Sequence, residues 1–210
     1  MIAVIDYGAG NLRNVCKALD RVGANPTLTA DPREIKRADK VVLPGVGAFA
    51  DCMMGLRQRD LVEPCLEAAH SGRPFLGICV GMQLLFDVGE EMGEWPGLGL
   101  IPGRVGRFDF SEIQGAARLP IPHIGWNHVL LDQPDHPLVA GVSATGYAYF
   151  VHSYHARGLP AANIVASADY GYAFPAVVAQ NNVFGIQFHP EKSQRVGLRI
   201  LSNFTTMEVP

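Results

Sequence analysis

Pro74-Phe75-Leu76-Gly77-Ile78-Cys79-Val80-Gly81-Met82-Gln83-Leu84-Leu85-Phe86 carries the clearest structural signal in the chain. Apolar and aromatic residues lead into a Gly-x-Cys-x-Gly turn, and a helical pattern leaves it. This is the pattern of a nucleophile elbow, the Gly-x-Ser-x-Gly device, with sulfur in place of oxygen. Such a turn holds its nucleophile in a strained conformation between strand and helix, and only residues without a Cβ let the neighbouring backbone pass so close. It exposes the Cys79 thiol at a helix N-terminus, where the dipole favours thiolate. An unperturbed thiol titrates near ~8.5, so reactivity at neutral pH needs help of this kind.

Outward from the elbow, strand and helix patterns alternate. Ile2 to Asp6 is an apolar run followed by Gly8-Ala9-Gly10-Asn11, and Leu12, Val15, Cys16, Leu19 and Val22 recur at helical spacing up to a stop at Gly23. Gly8-x-Gly10 lacks the third glycine of a dinucleotide loop and reads as a strand-to-helix turn. Lys40-Val41-Val42-Leu43 is a buried strand ending in Pro44-Gly45-Val46-Gly47. Met53 to His70 predicts a helix that Pro64 breaks or kinks unless a new helix starts there. This alternation predicts a parallel sheet with helices on both faces. Ligands collect at the carboxyl ends of such strands, where Gly8 to Gly10, Pro44 to Gly47 and Cys79 all fall.

The second half reads differently. Gly89 to Gly106 is rich in glycine and proline and reads as mostly loop. Beyond it, His128 to Leu131, Tyr147 to Tyr154 and Ile164 to Ala168 are strand-like. Val177 to Gln180 and Val183 to Ile186 flank Asn181-Asn182, a hairpin turn because Asn tolerates positive φ. Gly197 to Phe204 closes the chain as a helix. The expectation is an α/β fold with a central, mostly parallel or mixed sheet, antiparallel additions from the second half, and one domain over residues 1–210.

Gly185-Ile186-Gln187-Phe188-His189-Pro190-Glu191 supplies the second half of a site. His189 can take the thiol proton and give it to a leaving amine, while Glu191 can fix the imidazole tautomer and stabilise its protonated form. Either segment alone has a bland reading, as a buried apolar cysteine or a chance loop. Together, Cys79, His189 and Glu191 read as nucleophile, base and orienter. The backbone N–H of Val80, directly after the nucleophile, is then an oxyanion donor. Gln83, one helical turn beyond Cys79, shares the thiol's face, although a helix-surface glutamine would have the same spacing.

Hydrophobic residues make up 48% and charged residues 18% of 210 positions, the balance of a globular domain able to bury a substantial core. A net charge of −3 gives no electrostatic reason to bind nucleic acid or an anionic membrane. No run reaches membrane-spanning length, and Met1 to Gly8 lacks a basic leader. Four cysteines without Cys-x-x-Cys spacing predict reduced thiols in the cytoplasm and no metal site. His152 and His155 read as structural polar groups, and no cofactor is expected.

Gly-Ile-Cys79-Val-Gly-Met-Gln83 with Phe-His189-Pro-Glu191 resembles the class I (triad) glutamine amidotransferases, over essentially the whole chain. The resemblance implies a flavodoxin-like fold and hydrolysis of L-glutamine to glutamate and ammonia through a Cys79 thioester. It implies a second oxyanion donor at Val46 or Gly47, and substrate contacts from Gln83 and from the backbone at Ser153 and Tyr154. Pro44-Gly45-Val46-Gly47-Ala48-Phe49, Pro122-His123-Ile124-Gly125-Trp126-Asn127 and His189-Pro190-Glu191-Lys192-Ser193 are similar to the members serving histidine biosynthesis. Those imply a heterodimer with a (β/α)8-barrel cyclase subunit that consumes the ammonia, docked on a rim carrying Asn11, Asn14, Trp126 and Lys192. A core position is the ordinary expectation for Trp126. Another glutaminase of the class, a noncatalytic subunit and a cysteine peptidase or thioesterase are the competing readings; the intact Cys79, His189 and Glu191 disfavour the second.

Overall fold

The computed structural model describes residues 1–111 and 119–208. Its central sheet has eight strands in the order β2 (Thr27–Thr29), β1 (Ile2–Ile5), β3 (Lys40–Gly45), β4 (Phe75–Cys79), β14 (Val183–Ile186), β13 (Ala173–Gln180), β12 (Ile164–Asp169) and β9 (Leu130–Leu131). The first five run parallel, and β13, β12 and β9 continue antiparallel. The expected mixed sheet is present. Its parallel part also includes a strand from late in the chain, because β14 pairs parallel with β4. β1, β3, β4 and β14 are buried at every position, as continuous apolar strands covered on both faces should be.

The helices follow from local chemistry. Asp31 caps α2 (Pro32–Arg37) by accepting the Arg33 N–H at 2.8 Å, with Pro32 pre-set in the first turn. The expected Met53 to His70 helix is two helices, α3 (Phe49–Gln58) and α4 (Val62–His70). Pro64 sits in the first turn of α4, where its missing N–H would have had no partner. α1 (Leu12–Arg21) buries Val15, Ala18 and Leu19, and α6 (Gln194–Thr206) buries Val196, Ile200, Leu201 and Phe204.

Two expectations are corrected. The segment from Gly89 to Gly106 is not mostly loop: β5 (Phe86–Gly89), β6 (Trp95–Pro96), β7 (Ile101–Arg107) and β11 (Tyr154–Arg157) form a four-stranded sheet. The glycines there admit close approach, since a Cβ on Gly106 would collide with the Arg157 side chain. Glu90 links β7 and β11 by pairing with Arg104 at 2.7 Å and with Arg157. The helix leaving the elbow, α5 (Val80–Gln83), is a single turn. Leu84, Leu85 and Phe86 are buried with all of α5, so the run lacks the polar face of an amphipathic helix and passes straight into β5.

β8 (His123–His128) and β10 (Tyr147–His152) pair antiparallel as a separate ribbon beside the main sheet. Between ribbon and sheet lies an aromatic cluster of Phe108, Phe150, Phe174, His123, His152 and His155. The partners of the two linked histidines set their tautomers. Asn127 donates to His123 Nε2 at 3.3 Å, His123 Nδ1–H donates to His152 Nε2 at 3.2 Å, and His152 Nδ1–H donates to the Tyr154 carbonyl at 2.9 Å. Each ring donates once and accepts once, as neutral imidazoles do. Burial holds both neutral, pushing His123 down to about 4 and His152 down to about 3.

In the unfolded chain these rings titrate near ~6.5. As pH falls below that value the unfolded state takes up protons that the folded state refuses, so stability drops with pH until the folded values are reached. His152 alone gives a slope of up to ~1.4 kcal/mol per pH unit in that window. Urea unfolding between pH 7 and pH 4 should therefore show falling stability, with a shallower fall for His152→Asn; an equal slope in the variant would count against this origin.

Candidate active site

Cys79 ends β4 with φ 56° and ψ −115°, a conformation that costs a non-glycine residue of order 1–3 kcal/mol. The flanking glycines permit it. A Cβ on Gly77 would lie 2.5 Å from the Gly81 carbonyl oxygen, and a Cβ on Gly81 would collide with the Leu43 carbonyl of β3. The elbow is thus wedged against the neighbouring strand. Cys79 is only 4% exposed, but it lines a cavity of about 320 Å³ together with Val46, Gly47, Val80, Gln83, Ser153, Tyr154 and His189. Every residue expected at the catalytic and substrate positions lines this cavity except Glu191, which stands behind His189.

His189 follows β14, the strand next to β4. Its backbone is pinned by its own N–H donating to the Tyr149 carbonyl at 3.0 Å and by Ser193 Oγ donating to its carbonyl at 2.6 Å. Its Nδ1 lies 2.9 Å from Glu191 Oε1, which also accepts from Asn11 Nδ2 at 3.0 Å. With Nδ1–H committed to the carboxylate, Nε2 is left for the thiol. Burial depresses the His189 pKa, but hydrogen bonds to Cys79 and Glu191 and their negative charge outweigh it and lift it to about 10. Burial also opposes ionisation of Glu191, and the His189 hydrogen bond and charge overcome it to hold the carboxyl below its usual range. Since α5 is one turn long, the adjacent imidazolium, rather than a helix dipole, is the main cationic partner of the thiol.

The Pro44 to Gly47 loop sits beside the elbow, with Gly45 in register with Cys79. Tyr7 O–H donates to the Pro44 carbonyl at 2.7 Å, and the Cys52 thiol donates to the Val46 carbonyl at 3.5 Å. Burial drives Cys52 up to about 11 and also raises Tyr7, so both stay protonated donors. Neither residue was legible as a loop anchor in the sequence. Gly47 has φ 103°, and the N–H groups of Val46 and Gly47 make no hydrogen bond among the described residues. Two unpaired donors therefore border the cavity.

Gln83 is no surface glutamine. It is 3% exposed and donates to the Tyr154 carbonyl at 3.0 Å and to Gln187 Oε1 at 3.2 Å. Sequence reasoning missed Gln187, and it missed Glu91, which lines the cavity and accepts the Phe49 N–H at 2.8 Å. Glu91 lies in the turn between β5 and β6. The expected rim residues are linked. Asn14 donates to Asn11 at 2.9 Å, the Lys192 ammonium lies 5.4 Å from the Tyr149 ring centroid, and Trp126 packs edge-on to the same ring. Trp126 is 49% exposed on β8 rather than in the core. Among the described residues no cluster of side chains could hold a metal, no helix is long and apolar enough to cross a membrane, and all four cysteines are unpaired.

The chain belongs to the class I glutamine amidotransferases: the family model of that description matches residues 3–207. It is 49% identical over 207 residues to the imidazole glycerol phosphate synthase subunit HisH of Salinibacter ruber, covering 99% of this chain and 94% of that one. It is 51% identical over 207 residues to the subunit of the same name from Syntrophotalea carbinolica, covering 99% and 100%. A crystal structure of a glutamine amidotransferase superposes with a TM-score of 0.74 at 18% identity, covering 99% of this chain and all of the other, which establishes the shared fold.

Glu191→Gln removes the anion on Nδ1. His189 is expected to titrate at least about one unit lower than in the parent, followed by NMR across pH 5 to 11. The raised pKa contributes stability below ~6.5 that disappears as pH climbs through about 10, so the variant should lose that contribution at lower pH. An unmoved His189 titration would show that Glu191 does not set it.

Proposed function

We propose that this chain is the glutaminase subunit of an imidazole glycerol phosphate synthase, with Cys79, His189 and Glu191 as its catalytic triad. The observation that supports the triad best is the cavity arrangement. The elbow thiol shares its cavity with an imidazole anchored on a buried carboxylate, beside two unpaired backbone donors. The chemistry follows from those positions. Cys79 gives its proton to His189 Nε2, and the thiolate attacks the side-chain amide carbon of L-glutamine. The N–H of Val80 and one from Val46 or Gly47 receive the oxyanion; a single such donor is commonly worth ~100-fold or more in rate. His189 protonates the departing nitrogen, ammonia leaves, and a glutamyl thioester remains. His189 then takes a proton from water, the hydroxide attacks the thioester, and glutamate departs as the thiolate–imidazolium pair reforms.

In this reading Gln83 and the backbone at Ser153 and Tyr154 hold the amino-acid end of the substrate, and the Glu91 carboxylate offers its α-ammonium a counter-charge. The ammonia passes to a (β/α)8-barrel cyclase subunit in a cytoplasmic heterodimer. There it enters the synthesis of imidazole glycerol phosphate and an aminoimidazole carboxamide ribonucleotide, a step of histidine biosynthesis. No cofactor takes part. Asn11, Asn14, Trp126 and Lys192 would meet the cyclase, and three of them already touch residues around the site.

Cys79→Ala should abolish glutamine-dependent synthesis by the assembled enzyme while ammonia-dependent synthesis survives; glutamine use at the parent rate would refute the nucleophile. Lys192→Glu should weaken association with the cyclase about tenfold, measured by titration calorimetry. An unchanged Kd would remove Lys192 from the docking face.

A further inference from the structure

Gln187 is fully buried directly after β14, two residues before His189, and has no part in the chemistry described above. Its amide orientation can be deduced. The Tyr154 carbonyl is a backbone acceptor that cannot be reversed, so the Gln83 atom 3.0 Å from it is the nitrogen. That same nitrogen lies 3.2 Å from the Gln187 side chain, which must therefore present its oxygen. Both N–H bonds of Gln83 are consumed, one by Tyr154 and one by Gln187. Gln83 Oε1 makes no hydrogen bond among the described residues, and it is not one of the walled-off orphan atoms there. It is left open to the cavity that Gln83 lines.

The cost of this arrangement falls on Gln187, whose own Nε2 is buried without a partner among the described residues. An apolar side chain of the same length would avoid that orphan and fill the same space. A purely structural role does not account for a glutamine here.

We propose that Gln187 is a positioning residue that locks the Gln83 carboxamide with its oxygen toward the cavity, so that Gln83 accepts a hydrogen bond from an N–H group of the substrate. Without Gln187 one Gln83 N–H loses its partner, and the amide is free to turn and present a donor to a substrate that needs an acceptor. This rests on the glutaminase reading. It adds a residue that touches no substrate atom and a polarity for Gln83, which does.

Gln187→Met is tested in the assembled enzyme with glutamine. The expected result is a KM raised about tenfold, the equivalent of one lost hydrogen bond, with kcat within about twofold and Tm unchanged or higher. Gln187→Glu keeps an acceptor oxygen facing Gln83 and should restore KM to within about threefold of the parent. 4-Carbamoylbutanoate, which is glutamine without its α-amino group, identifies the donor. A KM penalty that vanishes with this analogue assigns it to the α-ammonium, and one that persists assigns it to the carboxamide. An unchanged KM, or a joint fall in kcat and Tm that Gln187→Glu does not rescue, makes Gln187 a packing residue and overturns the proposal while leaving the glutaminase reading intact. Absence of glutamine turnover by the parent enzyme defeats both.

Discussion

The left-handed backbone of Cys79 is the constraint from which the rest of the site follows. A non-glycine residue stays at φ 56° only when its surroundings over-determine it. Here they do so through the close contact of Gly81 with the Leu43 carbonyl and of Gly77 with the Gly81 carbonyl. That contact fixes the elbow against β3 and so sets its distance from the loop at the end of β3. On the other side β4 pairs with β14, whose Ile186 is in register with Ile78. The parallel order β3-β4-β14 thus lines up loop, thiol and imidazole at one end of the strands, although they come from positions 44–47, 79 and 189 of the chain.

A second layer of order comes from polar groups that burial forces to find partners. The Tyr154 carbonyl accepts from both His152 and Gln83, joining a neutral histidine chain on one side to a glutamine pair on the other. The chain runs in one direction because each imidazole has a single proton to give, and each has a single proton because burial keeps it uncharged. Side chains that look incidental along the sequence therefore hold the backbone that forms the cavity wall.

This explains which parts of the protein could be read from residues alone. The elbow, the buried strands and the Asn181 turn are local: each is specified within a dozen residues by apolar runs, glycines and a tolerated positive φ. Expected and observed elements agree there. The Gly89 to Gly106 segment misled because glycine and proline signal loops in isolation, whereas here they let strands pass under long side chains such as Arg157. The helix after Cys79 was overextended because its apolar residues face core on all sides, which periodicity cannot distinguish from one face of a longer helix. Gln83 with Gln187, Tyr7 with Pro44, and Cys52 with Val46 are invisible for another reason. Two of these pairs link separate segments through strand order, and none has a spacing that marks it.

The one-turn length of α5 also shifts the electrostatic argument. A long helix would have supplied positive potential to the thiol through its dipole, independent of pH. A single turn supplies little, and the work falls on a titratable group more than a hundred residues away in the chain, carried on the neighbouring strand. His189 can do it because Glu191 and Cys79 together outweigh the burial that would otherwise discharge it. Glu191 in turn stays ionised while buried because His189 and Asn11 both donate to it. The charges of His189 and Glu191 each lean on the other, so the two behave as one unit, and loss of either leaves its partner buried with less compensation.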